Sequence, residues 1–235
     1  MKKHLPCFVV LAFLVVSCVG FVSPVETNPV GKIYRDSIGF EDVTLPLPDG
    51  EWNVTGRGYS REGFFQIILF NHKTQDVVYI QRDSYRTDRP FGYNNYEYMR
   101  REDVHHAVVK NNYTGEQQDG WLINHIRPNI DPKNGQVFKE TTDYIAKIKY
   151  SLPGNYILNY HRFTGNKQKP SRFLEYNYFV NPETAGFKPP EQAEWASSDW
   201  HPMKINKDPA KVAYIEKLKK DGEIMHEKLA KAFGG

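Results

Sequence analysis

The sequence predicts a mainly β fold: an antiparallel sandwich or barrel-like sheet of about nine strands, then an irregular Pro/Trp segment and a C-terminal amphipathic helix. An α+β arrangement is the neighbouring class. Three observations carry this expectation. Apolar runs of strand length recur between turn residues from position 43 to 180. Aromatic residues make up 14% of the chain and include 15 tyrosines, stiff half-polar side chains that suit strands better than helix interiors. After Asp208 the apolar spacing changes to threes and fours, the period of a helix.

Residues 43–47 open the series and close on Pro48-Asp49-Gly50, a turn composition. In 52–59, Trp52 and Val54 share a face, with Gly56 and Gly58 behind them. The run 64–70 is almost continuously apolar, so both of its faces are expected to be covered, and 77–81 returns as its hairpin partner across the turn 71–75. Segments 104–110 and 121–126 form the next pair. Tyr144, Ala146, Ile148 and Tyr150 alternate with Ile145, Lys147 and Lys149, which reads as a half-exposed strand. Leu152-Pro153-Gly154-Asn155 suits a type II turn into the strand 156–163, and 173–180 closes the series. Residues 182–207 are Pro-rich and irregular, with Trp195 and Trp200 as anchors onto the sheet. Asp208-Pro209 places a capping residue before a proline at the first helical position. Val212, Ile215, Leu218, Met225, Leu229 and Phe233 then form the apolar stripe of a helix over 208–235, interrupted by Gly222. The organisation is therefore 1–22 a signal segment, 23–34 a tether, 35–181 a β-rich domain, 182–207 the irregular segment, and 208–235 the helix.

The N-terminus carries an address. Met1-Lys2-Lys3-His4 is a short basic region, and Leu5 to Val16 is an apolar run of signal-peptide length. Val15-Val16-Ser17-Cys18 resembles the bacterial lipobox. That resemblance implies diacylglycerol transfer to the Cys18 sulfur, cleavage ahead of it, and a mature protein held to a membrane by lipid. It also implies an exported, periplasmic location, at the outer membrane in a Gram-negative host. Cleavage after Gly20, discarding Cys18, is the alternative. Both cysteines, Cys7 and Cys18, lie in this segment, so the body has no internal disulfide and relies on its core. Formal net charge is +3; without Lys2 and Lys3, 29 basic residues face 28 acidic ones. So balanced a body exerts no bulk attraction on nucleic acid, and none is expected as a partner.

The segment 81–103 mixes arginines with aromatics, among them Arg82, Arg86, Arg89, Tyr93, Tyr96, Tyr98 and Arg100. Guanidinium forks beside ring faces suit a small ligand, a glycan or an envelope protein. The competing role is a connection that covers one end of the sheet, neutralised by its own acids. His105 and His106 are neighbours on a strand and point to opposite faces, so only one of them could meet His125 or His161. No metal-binding spacing is present, and no cofactor is expected. Ser198, Asp199 and His201 have the residue types of a hydrolase triad, but adjacent residues cannot converge as one. Glu140, Asp143 and Glu175 are the carboxylates that predicted strands could bring together for glycan hydrolysis. The sequence thus favours a non-enzymatic binding module, with an envelope hydrolase or a structural subunit of an envelope assembly as alternatives.

Overall fold

The computed structural model describes residues 23–40, 42–84, 104–110, 119–126, 130–165, 172–188 and 198–234. Among them are ten strands: β1 (Ile33–Tyr34), β2 (Ser37–Gly39), β3 (Thr44–Pro46), β4 (Trp52–Tyr59), β5 (Phe65–Phe70), β6 (Val77–Arg82), β7 (His106–Lys110), β8 (Asp119–Ile126), β9 (Tyr156–Thr164) and β10 (Phe173–Val180). Eight of them form one antiparallel sheet in the order β1-β4-β5-β6-β10-β9-β8-β7, and β2 pairs with β3 as a separate hairpin. The protein is mostly β, as the sequence predicts. The sheet is open: β1 and β7 lie at its two edges, and it does not close into a barrel.

The continuous apolar run of β5 is buried on both sides. Phe65, Ile67 and Leu69 join the largest core cluster on one face, while Ile68 and Phe70 join a second cluster on the other. The β5–β6 turn is set by Asn71, whose Oδ1 accepts from the backbone N–H groups of Lys73 (2.9 Å) and Thr74 (3.2 Å). Gln75 there takes a φ of 60°. That geometry fixes Phe70 opposite Val77. A slip of one residue would turn every side chain of β6 to the wrong face.

Helices rather than a second large sheet cover the two faces. The C-terminal helix runs Pro209–Gly234 and lies across one face. Ile215 and Leu218 pack with Trp121, Ile123 and Ile157, and Leu229 and Phe233 pack with Phe163, Leu174 and Tyr176. On the other face, the helix Gln136–Lys147 sets Val137 and Ile145 against Ile68, Phe70 and Tyr156. With the short helices Pro24–Thr27 and Pro202–Ile205, these become α1 (24–27), α2 (136–147), α3 (202–205) and α4 (209–234) in chain order.

Three expectations are corrected. The stretch 144–150 is not a strand: it is the last turn of α2 and its exit, where Lys149 takes a φ of 57°. Val137, Thr141 and Ile145, four residues apart, bury one helical face, and the Tyr/Ile alternation beyond them is coincidental. Residues 23–34 are not a free tether. Ser23 and Glu26 form a reciprocal capping box on α1, Arg57 Nε donates to the Val25 carbonyl at 2.7 Å, and β1 pairs with β4. Gly154 does not take a positive φ, so the entry to β9 is not a type II turn. In the Pro/Trp segment, Trp200 is fully buried against Phe187 and Tyr214 in the cluster of Ile157 and Val180. Trp195 lies outside the described residues.

Candidate functional site

Strand β6 ends on Arg82, two residues beyond Ile80 and therefore on the same face, opposite Phe65 of β5 and Leu174 of β10. The position would suit another apolar side chain, yet it holds an arginine whose side chain is only 10% exposed. Its Nη2 pairs with Asp42 Oδ1 at 2.7 Å, its Nε donates to the Asp83 carbonyl at 3.1 Å, and its plane lies 5.4 Å from the Phe40 ring centre. Nη1 is buried and has no hydrogen-bond partner. An unsatisfied charged donor out of reach of water costs more than a neutral one, on the order of 1–3 kcal/mol or above.

Arg82 lines an open cavity of about 250 Å³, together with Pro24, Phe40, Asp42, Phe65, Asp83 and Ser84. The walls are held from several elements. Pro24 is positioned by α1, whose Ser23 hydroxyl is 2.9 Å from the Tyr59 hydroxyl. Phe40 meets Phe65 edge-on at 5.6 Å. Asp83 exchanges hydrogen bonds with the backbone of Phe173, its N–H donating to the carbonyl and its Oδ1 accepting from the N–H, each at 3.0 Å. The Ser84 hydroxyl donates to the Gly63 carbonyl at 2.6 Å. Asp42 keeps about half of its side chain in solvent, and Arg172 stands 3.7 Å from its second oxygen. Arg172 in turn lies over the Phe233 ring near the end of α4. The cavity therefore sets a buried cationic donor beside a half-exposed carboxylate, with apolar walls.

A second polar group crosses the opposite face of the sheet. Gln66 Nε2 donates to the Tyr79 hydroxyl (2.8 Å) and to Gln81 Oε1 (3.2 Å), and the Tyr79 hydroxyl donates to Gln81 Oε1 (2.7 Å). Glu175 accepts from the Tyr160 hydroxyl and from Asn177 Nδ2, each at 3.2 Å. Burial, and after it the Glu175 charge, pushes both tyrosine hydroxyls upward. These groups satisfy one another, and the adjoining apolar cleft, lined by Ile68, Tyr79, Phe138 and Phe179 among others, holds only about 50 Å³.

Under α4 lies a histidine pair. His161 of β9 and His226 of α4 are buried, their Nδ1 atoms 3.3 Å apart and their rings stacked at 5.4 Å. Phe163 stacks on His226 at 4.8 Å, and Trp121 lies between His161 and His106. Burial, and secondarily the neighbouring His226, holds His161 well below the usual histidine range.

The residues singled out from sequence fare differently. Cys18 with the rest of residues 1–22, and Arg86, Arg89, Tyr93, Tyr96, Tyr98 and Arg100, lie outside the described residues, as does the side chain of His125. Glu140 and Asp143 are on α2 rather than on strands. Glu140 accepts from the Arg57 N–H, Asp143 pairs with Lys139, and Glu175 sits in the network above, so each of the three is engaged separately. Ser198 and His201 accept from the backbone N–H groups of Trp200 and Met203, and Asp199 pairs with Lys211: a turn and a helix cap. Among the described residues no group of three or more His, Cys, Asp or Glu side chains could hold a metal ion, and no helix is long and apolar enough to cross a membrane. Sequence reasoning noted Arg82 but missed Phe40, Asp42 and Arg172, which no local pattern connects. His226 was missed as well, although it lies three residues before Leu229 and so on the side of the helix that the apolar stripe marks as buried. No protein-family model, curated protein or solved structure matches the chain.

Proposed function

We propose that this protein is an exported, lipid-anchored cell-envelope module that binds a small ligand without transforming it, in the cavity at the Arg82 end of the sheet. One observation carries the binding reading: an open cavity of about 250 Å³ with Phe40, Phe65 and Pro24 in its walls carries the Arg82–Asp42 ion pair, whose guanidinium is buried and whose carboxylate is half in solvent. A ligand donor reaching the exposed Asp42 carboxylate would form a charge-assisted hydrogen bond. The Val15-Val16-Ser17-Cys18 pattern supports the anchor and the periplasmic address. Against a hydrolase built on Glu140, Asp143 and Glu175 stands their separate engagement, which sets no two of these three together as acid and nucleophile.

The binding reading is tested by titrating the isotope-labelled protein with acetamide and with glycerol, two small carriers of hydrogen-bond donors. The expected result is movement of the Arg82 side-chain and Phe40 ring signals ahead of all others. Shifts confined to another surface would refute the site. For the anchor, Cys18→Ala should abolish fatty-acid labelling and release the protein from membranes; persistent labelling would remove it.

A further inference from the structure

We infer that the second half of α4, from Gly222 onward, is an acid-released latch: protonation of the buried His161–His226 pair lifts it from the sheet while the first half stays docked. This does not rest on the binding of any ligand. The pair spans the joint between two elements. His161 belongs to β9 and His226 to α4, and their Nδ1 atoms meet at 3.3 Å. One of those two nitrogens carries the hydrogen and the other keeps its lone pair. Protons on both rings would instead set two N–H groups against each other.

The surroundings give a proton on His161 no counter-ion among the described residues. Burial, and after it the like charge of His226, is what acts on the ring. From β8 comes Trp121, from β9 Phe163, and from β10 Tyr176, whose hydroxyl burial keeps neutral. From β3, which also packs on α4, comes Leu45. The charged groups Glu216, Lys219 and Glu223 of α4 act on His106 of β7, on the other side of Trp121. His161 Nε2 has no hydrogen-bond partner, so a charge there is buried bare, whereas a released ring meets water. The break falls at Gly222. There α4 lies so close to the sheet that an added Cβ would come within 2.6 Å of Asn159 Nδ2 and 2.8 Å of the Trp121 ring, and a helix is weakest at a glycine. Ahead of it, Ile215 and Leu218 are held in the cluster of Trp200, Ile157 and Val180; beyond it, the buried apolar anchors are Leu229 and Phe233. Release also takes away the Phe233 ring, over which Arg172 lies at 4.5 Å beside Asp42 of the cavity.

The experiment is amide hydrogen exchange of the protein at about pH 7.5 and about pH 5, corrected for the intrinsic effect of pH and read residue by residue. A histidine held far below its ordinary range when docked, and titrating normally when released, favours release about thirtyfold at about pH 5. The amides of Met225 to Phe233 should therefore open about thirtyfold more often in acid, and should exchange there ahead of those of Ile215, Leu218 and β5. In His161→Gln, which stays neutral, that gain should shrink to about threefold or less. Exchange of Met225 to Phe233 in step with β5 at both pH values would overturn the latch, because the half-helix would then open only with the whole fold. A gain that persists undiminished in His161→Gln would overturn the role of the pair. Should that variant fail to fold, the comparison within the native chain decides alone: an acid gain confined to Met225 to Phe233 supports the latch, and its absence removes it.

Discussion

Replacing Gly56 with alanine should destabilise the protein by about 3 kcal/mol, within a range of roughly 2–5. A Cβ on Gly56 would sit 2.0 Å from the Val137 carbonyl oxygen and 2.4 Å from Thr141 Oγ1, both on α2. Ordinary contact begins at 3.4 Å, so α2 would have to retreat by about 1.4 Å (3.4 minus 2.0). The nearest obstacle is backbone and cannot swing aside. Overpacking of this kind costs about 1–3 kcal/mol. The retreat also stretches the buried Thr55–Thr141 hydroxyl contact of 3.2 Å and the 3.0 Å bond from the Arg57 N–H to Glu140, each worth ~1 kcal/mol. Without the clash the substitution would be favourable, because alanine loses less entropy than glycine in a strand, by ~0.5–1 kcal/mol. The sign of the effect therefore reports the contact. Urea unfolding reads it: with a slope of ~2 kcal/mol per molar, the midpoint should fall by about 1–2 M. An unchanged or raised midpoint would refute the close packing of α2 on β4.

Other perturbations test other parts of the fold. Burial holds His161 well below the usual histidine range, so unfolded chains bind more protons below the free histidine pKa of about 6.5. Its contribution is thus fully present above that pH and is lost as pH falls below it. His161→Gln should flatten the pH dependence of the urea midpoint between neutrality and mild acid, and an identical profile would contradict the burial of that ring. Ending the chain at Lys207 removes Ile215, Leu218, Leu229 and Phe233 from the core, worth about 1.5–3 kcal/mol each. The sum of about 6–12 kcal/mol rivals the whole stability of a typical domain, so the truncated chain should lose its cooperative melt. A retained melt would show α4 to be an appendage.

Much of the fold was legible because it depends on local period. The apolar run of β5 states in sequence that both of its faces are covered, and the stripe of Ile215, Leu218, Leu229 and Phe233 states which face of α4 is buried. Helix α2 was hidden because its buried face carries Thr141 between Val137 and Ile145. Its central position is therefore polar, satisfied by the Val137 carbonyl and Thr55, and the apolar period is broken. The Tyr144–Tyr150 alternation then supplied a false period of two. The tether reading failed for a related reason: α1 is held by its cap and by Arg57, contacts that carry no hydrophobic pattern. The cavity was legible only in part. Arg82 stands in a visibly unusual segment, but Asp42 comes from the bend before β3 and Arg172 from the residue just ahead of β10. They converge because β10 inserts beside β6, a pairing no spacing encodes.

The most direct measurement is a crystal structure of the protein with the small molecule that most strongly moves the Phe40 and Arg82 signals. Its density should fill the cavity between Phe40, Phe65 and Asp42, with a donor about 2.7–3.2 Å from an Asp42 oxygen. Density elsewhere, or an empty cavity at saturating ligand, would contradict the assignment of this end of the sheet as the ligand site.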